Sequence, residues 1–241
     1  MINSPINALN RPKIDFKVVL GILGAFIFFM GFALILPLFI DLIYNEHHWD
    51  SWLISAGISF LIGGALWYFF RTHEELRIRE GFLVVSLTWL ILSFVGALPF
   101  IIAGILPSYT DAVFETISGL TTTGSTIMGG VTSSGFINPM IEELPKSFLF
   151  WRSLSHWLGG MGIIVLSLAI LPLLGIGGMQ LFQAESPGPT TDKLTPRVQE
   201  TAKLLWVVYF AFTVAEFVLL WIHPSMDWFD ALNHAFATLA T

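Results

Sequence analysis

Between Val18 and Ile40 this chain runs through 23 consecutive residues without one charged side chain. A helix needs ~20 apolar residues to cross the ~30 Å hydrocarbon layer of a bilayer, so a stretch of that length settles the solvent before any finer feature is read. Four more follow at Ser51–Phe70, Gly81 to about Gly104, Leu154–Leu174 and Leu204–Ile222, the last interrupted only by Glu216. With 55% hydrophobic and 12% charged residues and a mean hydropathy of +0.76, the chain has too little polar surface to cover itself in water. The reading is an all-α polytopic membrane protein. The first stretch is too long, and too poorly followed by a small-residue cleavage site, for a signal peptide. No cysteine is present, which removes disulfide frameworks, thiolate metal sites and thiol nucleophiles.

Orientation follows from the basic residues. Arg11, Lys13 and Lys17 precede the first span, Arg71, Arg77 and Arg79 lie between the second and third, and Lys193, Arg197 and Lys203 lie between the fourth and fifth. These alternate segments hold nine of the eleven Lys and Arg, against Lys146 and Arg152 on the other side, so they and the N-terminus are expected to be cytoplasmic. Trp49, Trp52, Trp67, Trp206, Trp221 and Trp228 lie near the ends of these spans, the pattern of an aromatic belt. A net charge of −6 gives no reason to expect a nucleic-acid partner; membrane lipid is the expected surroundings.

The outward connection between the third and fourth spans carries an unusual segment. Asp111–Leu120 reads as a helix of about ten residues, roughly 15 Å long and too short to cross. Ser108 and Asp111 form an S-x-x-D helix start, and an uncharged run, Thr121-Thr122-Thr123-Gly124-Ser125, follows its end. A short helix, a glycine loop and another spanning helix suggest a re-entrant element, tolerated at membrane depth where it is buried in protein or lines a wet cavity. Backbone carbonyls and hydroxyls there suit a cation that must shed its water, and the negative end of the helix dipole favours one too. Glycine lets the backbone take the dihedrals this requires. An ordinary polar outer loop would have the same composition, and a second copy separates the two readings. Asp111–Thr122 aligns with Asp230–Thr241 at an offset of 119, pairing Asp111 with Asp230, Ala112 with Ala231, Leu120 with Leu239 and Thr122 with Thr241. Each copy follows a span ending in Pro and Ser. A ring of carbonyls needs about four such loops, so one loop and part of another imply further pore units, and these residues alone are not expected to conduct.

Four segments then resemble one family. They are FETISGLTTTGST from Phe114, the run from Leu144 to Pro189 containing WLGGMGIIVLSLAILPLLGIGGMQL, KLTPRVQETAKLLW from Lys193, and DALNHAFATLAT from Asp230. The chain resembles the N-terminal half of the TrkH/TrkG-type bacterial potassium uptake proteins of the Trk/Ktr superfamily. The resemblance implies a potassium-channel-like fold of span, re-entrant pore loop, span units. Residues 1–75 would be an extra helix pair, with spans at about 18–43 and 51–70. Residues 76–182 would be the first pore repeat, with span 81–104, pore helix 111–120, filter 121–125 and span 150–175. Residues 183–241 would be a cytoplasmic linker and the start of the second repeat, with span 202–222 and pore helix 229–239. It further implies potassium as substrate at Thr122, Thr123 and Thr241, no cofactor, Gly124 as filter glycine, the bacterial inner membrane, a homodimer, and a cytosolic TrkA-type nucleotide-binding regulator. The connection from Ile127 to Glu143 is longer and more polar than the family pattern, which leaves the outer vestibule's shape open. The third and fourth repeats of the family are not in this sequence.

Several single residues have two readings. Glu216 within the fifth span is expensive unless paired or wet, and a hydrogen-bonded partner in the bundle is favoured over ion binding. Glu115 would either concentrate cations by its field or brace the loop. His156, one turn after Arg152, reads as packing rather than as a ligand. Gly159, Gly160 and Gly162 permit close helix approach, and Gly175, Gly177 and Gly178 a bend. Two other classes compete. A membrane-embedded enzyme lacks any G-x-S-x-G, H-E-x-x-H or Cys motif. A coupled secondary transporter would favour inverted repeats, whereas both copies here follow an outward-running span.

Overall fold

A computed structural model describes residues 14–72, 78–131, 135–170 and 194–240. Thr241, Gly175, Gly177, Gly178 and the linker through Lys193 lie outside the described residues. The described chain is built from α1 (Phe16–Tyr44), α2 (Trp49–Phe70), α3 (Ile78–Gly96), α4 (Leu98–Ile102), α5 (Tyr109–Leu120), α6 (Lys146–Ile170), α7 (Leu194–Trp221) and α8 (Trp228–Ala240). A 3-10 turn at Ile141–Glu143 precedes α6. Among the described residues, α1, α2, the α3–α4 unit and α7 are long and apolar enough to cross a membrane. The 25 residues of α6 measure about 37 Å at the rise of an α-helix.

α1 and α2 form a hairpin whose backbones touch. A Cβ on Gly63 would fall 2.3 Å from the backbone nitrogen of Phe28, and one on Gly24 would fall 2.5 Å from that of Trp67. Only hydrogen fits at these crossings, which is how small residues bring helices together in lipid. Phe60 packs edge-on against Phe28 and Phe32, with centroids at 5.2 and 4.9 Å.

The apolar stretch from Gly81 to Gly104 is not one uninterrupted helix. α3 ends at Gly96, a single residue, Ala97, intervenes, and α4 runs to Ile102. Pro99 lies in the first turn of α4, where its missing N–H costs nothing. Gly96 also packs tightly at this break: a Cβ there would meet Thr116 Cγ2 at 2.7 Å, and its carbonyl accepts the indole N–H of Trp151 at 3.0 Å.

The core gathers Leu34, Trp52, Phe100, Leu106, Phe148, Trp151 and Phe229. Trp52 differs from the belt position expected of it. Its side chain is 0% exposed and its ring lies 4.7 Å from that of Phe148, because α2 turns this face inward onto α6. Trp49, Trp67, Trp206, Trp221 and Trp228 are exposed. At the same end of the bundle Glu46 accepts the backbone N–H groups of Lys146 and Ser147, filling orphan donors at the start of α6. Lys146 lies 4.5 Å above the Tyr44 ring, 4.8 Å above Phe229 and 3.9 Å from Asp227, so one cation joins α1, α6 and the start of α8.

Gly63→Ala is expected to destabilise the purified protein by about 1–3 kcal/mol through overpacking, read as a lower midpoint in detergent thermal unfolding. Gly57→Ala, at a glycine with nothing within 4 Å of the added methyl, is expected to be neutral or to gain up to about 1 kcal/mol of helix propensity.

Candidate functional site

α5 begins where the sequence offers a cap. Ser108 is extended, and its hydroxyl accepts the Asp111 N–H at 3.4 Å. The acid of Asp111 sits in the first turn, at the positive end of the helix dipole. The helix buries Ala112, Glu115, Thr116, Ser118, Gly119 and Leu120 on one side.

Its far end folds back on itself. The Thr121 N–H donates to Ile117 O at 2.9 Å, the Thr122 N–H to Gly119 O at 2.9 Å and the Thr123 N–H to Ser118 O at 2.9 Å. The last carbonyls of the helix are therefore consumed by the loop that leaves it. Thr122 adopts φ +56° and Gly124 φ +75°, left-handed dihedrals that suit glycine and cost a threonine energy. Thr123, Gly124, Ser125 and Thr126 are exposed. Among the described residues no donor reaches the carbonyl oxygens of Thr122, Thr123 or Gly124. Ser125 differs, because its carbonyl accepts the Ser118 hydroxyl at 2.6 Å. Thr121 differs as well: its hydroxyl lies 2.7 Å from Ile117 O and 2.8 Å from Thr123 Oγ1. Among the described residues Ser125 alone of the run has its carbonyl occupied. Thr121 braces through its hydroxyl, and its carbonyl, like those of Thr122, Thr123 and Gly124, has no donor.

Behind the loop lies Glu115, with a side chain 2% exposed. Its carboxylate accepts the Thr126 hydroxyl at 3.0 Å, the Ile127 N–H at 3.1 Å and Arg152 Nε at 2.5 Å. The donors come from the outgoing segment and from α6, so one buried group fastens three pieces of backbone. Of the two roles open to Glu115, the geometry is that of a brace. The arginine next to it leaves no bare negative charge to act at a distance. His156 stands on the same helix, its Nδ1 2.8 Å from Arg152 O. A Cβ on Gly124 would lie 4.0 Å from His156 Nε2, so the imidazole backs the loop without closing on it.

Two adjacent glycines of α6 receive the ends of both short helices. A Cβ on Gly159 would fall 2.0 Å from Leu120 O, at the end of α5. One on Gly160 would fall 3.0 Å from Ala240 Cα, at the end of α8, and 2.9 Å from Tyr209 Oη. α8 repeats the start of α5: Asp227, at the offset of 119 from Ser108, accepts the Asp230 N–H at 2.7 Å. It does not repeat the brace, since His234 stands where Glu115 stands in the first copy. Here Glu216 on α7 bonds the Thr238 hydroxyl of α8, reaching the short helix from outside. Thr241 is outside the described residues.

Sequence alone missed Thr126, Ser118 and Thr238 as partners. Thr126 was a usable signal, because a Thr after a turn commonly bonds back to the helix it leaves, and here its hydroxyl donates to Glu115. Past the loop, Gly129 N donates to Pro139 O at 2.9 Å and Asn138 N to Gly130 O at 2.9 Å, with an antiparallel bridge between Val131 and Ile137. The long connection is thus partly a paired hairpin.

The chain is similar to several known proteins. The family model described as TrkH, cation transport protein, matches residues 48–241. The Trk system potassium uptake protein TrkH of Escherichia coli K12 is 45% identical over 229 residues, covering 93% of this chain and 45% of that protein. TrkH of Halomonas elongata is 44% identical over 229 residues with the same coverage, and TrkG of Escherichia coli K12 is 37% identical over 227 residues, 93% of this chain and 44% of that protein. The crystal structure of the potassium transporter TrkH from Vibrio parahaemolyticus superposes with a TM-score of 0.77 at 38% identity, covering 92% of this chain and 42% of that one. The chain therefore spans about half the length of the curated relatives it matches.

Glu115→Leu leaves the half-buried Arg152 without its carboxylate and is expected to cost about 3 kcal/mol of stability, the low end for a broken buried pair. Glu115→Leu combined with Arg152→Met should recover most of that loss in the same thermal unfolding measurement, because the apolar pair leaves no unpaired charge.

Proposed function

Since the chain belongs to the TrkH family of cation transport proteins, we propose that it supplies the first selectivity-filter loop, and the start of the second, of a potassium uptake protein in the bacterial inner membrane. The single observation that carries this reading is the loop at Thr122, Thr123 and Gly124, with three carbonyl oxygens lacking donors at the negative end of a short helix. Oxygens of this kind replace a cation's water without a fixed charge to trap it. Glu115 and Arg152 neutralise each other behind the loop, so the carbonyls set the local field.

In this reading residues 1–75 are a helix pair flanking the pore, 76–182 the first pore repeat and 183–241 the linker and opening of the second. Thr241 holds the place of Thr122 in the second loop. α5 and α8 are re-entrant, entering from the outside and halting part-way, which their 12 and 13 residues permit. Support comes from their shared cap position and from the way both end on α6. The N-terminus and the basic segments face the cytoplasm, where a TrkA-type nucleotide-binding subunit docks on the complete protein, itself a homodimer. No step in this reading is enzymatic, and potassium is substrate rather than cofactor.

Gly124→Ser in the full-length protein tests the assignment, since its φ of +75° is strained for any residue with a Cβ. About 1–2 kcal/mol of strain at this point is enough for roughly a ten-fold loss of rubidium over sodium preference, measured as flux into proteoliposomes. Gly104→Ser carries a comparable φ of +70° in open space far from the loop, and should leave that preference unchanged. Equal selectivity in the wild type and Gly124→Ser would sink the assignment.

A further inference from the structure

A second site lies at the opposite end of the α1–α2 hairpin from Glu46. A trough of about 340 Å³ runs between the two helices, lined among others by Gly21, Ala25, Phe26, Phe29, Trp67 and Arg71. Its floor is low because the helices touch there: a Cβ on Gly21 would fall 2.7 Å from Phe70 O. Its walls are aromatic, and Phe26, Phe29 and Trp67 are all exposed. Both helices are long and apolar enough to cross the bilayer, and exposed aromatic walls on such a hairpin suit contact with hydrocarbon.

The mouth has a different character. Arg71 is the residue that ends α2, and Thr72 follows it into the trough lining. Lys17 lies in the first turn of α1, four residues before Gly21 and so on the same helix face. Among the described residues neither the Arg71 guanidinium nor the Lys17 ammonium has an acidic partner. The neighbouring Asp15 carboxylate is occupied in capping α1, accepting the Lys17 N–H at 2.8 Å. Trp67, one turn inside Arg71, sits at the depth where indole rings favour the interface. An apolar trough that ends at the water interface in two cations with no acidic partner among the described residues is complementary to a molecule with an anionic head and a long apolar tail.

We propose that this trough binds one anionic phospholipid, its phosphate between Arg71 and Lys17 and one acyl chain laid along Gly21 and Ala25 between the aromatic walls. Basic groups beside grooves between spanning helices are a general way to select anionic headgroups. The site is separate from the filter loop and does not depend on which ion the complete protein moves. The bound lipid fills the groove beside the close glycine contact of Gly21 with Phe70, and it anchors the pair laterally against the leaflet.

The test uses the full-length protein in nanodiscs containing a phosphatidylglycerol with a photoactivatable acyl chain, with crosslinks mapped by peptide mass spectrometry. Crosslinks should concentrate on Phe26, Phe29 and Trp67 relative to Leu61 and Tyr68, which are exposed on α2 outside the trough. Unlabelled phosphatidylglycerol should compete better than phosphatidylcholine by about five-fold for each basic side chain engaged. Arg71→Gln with Lys17→Gln should remove that preference, and so should raising the salt on the unmodified protein, a condition that does not depend on a variant folding. Even labelling of trough and outer face, or equal competition by the two lipids at low salt, overturns the proposal whatever the ion flux turns out to be.

Discussion

The arrangement of the loop depends on one carboxylate. Glu115 is buried, and in a low-dielectric interior an ionised acid persists only when its oxygens are fully engaged. Its partners are the Thr126 hydroxyl, the Ile127 N–H and the Arg152 guanidinium, drawn from a loop 11 to 12 residues on and a helix 37 residues on. A short helix, the segment that leaves it and a long helix therefore meet at a single point, and the turn between Leu120 and Thr126 has both its ends held. Within that span Thr122 can be kept at a positive φ that an unconstrained threonine would leave.

The same pair has an electrostatic effect beyond geometry. A lone carboxylate behind three bare carbonyls would deepen the well for any cation and slow its departure, whereas a neutralised one lets the carbonyl dipoles act alone. Buried ion pairs often contribute little to net stability and persist where they impose one arrangement over others. That description suits a loop proposed to act through the position of a few oxygens. The second copy is held differently, by an exposed hydrogen bond from the Thr238 hydroxyl to Glu216 of α7.

Much of this was legible in the residues, and the exceptions share a cause. The start of α5 could be read from Ser108 and Asp111 because capping is local. The second copy could be read because a repeat compares like with like at a fixed offset. Glu115 stayed ambiguous because its defining partner, Arg152, lies on another helix, and nothing local distinguishes a charge that projects a field from one that is cancelled. Trp52 was misplaced for the related reason that nearness to a helix end says nothing about which face turns inward onto Phe148. The antiparallel pairing of Gly129–Val131 with Ile137–Pro139 was hidden because glycine, asparagine and proline mark turns without naming the segment that pairs. Long-range pairings were the part that required three dimensions.

Gly159 and Gly160 stand next to each other on α6, and successive residues of a helix point about 100° apart, as 3.6 residues per turn requires. One touches the end of α5 and the other the end of α8. α6 is thus a common axle for two short helices from different parts of the chain. With no side chain at either contact there is no compressible cushion, so a rotation or slide of α6 is transmitted to both helix ends at once. Any displacement of this helix would shift both short helices together, and their ends would move in concert.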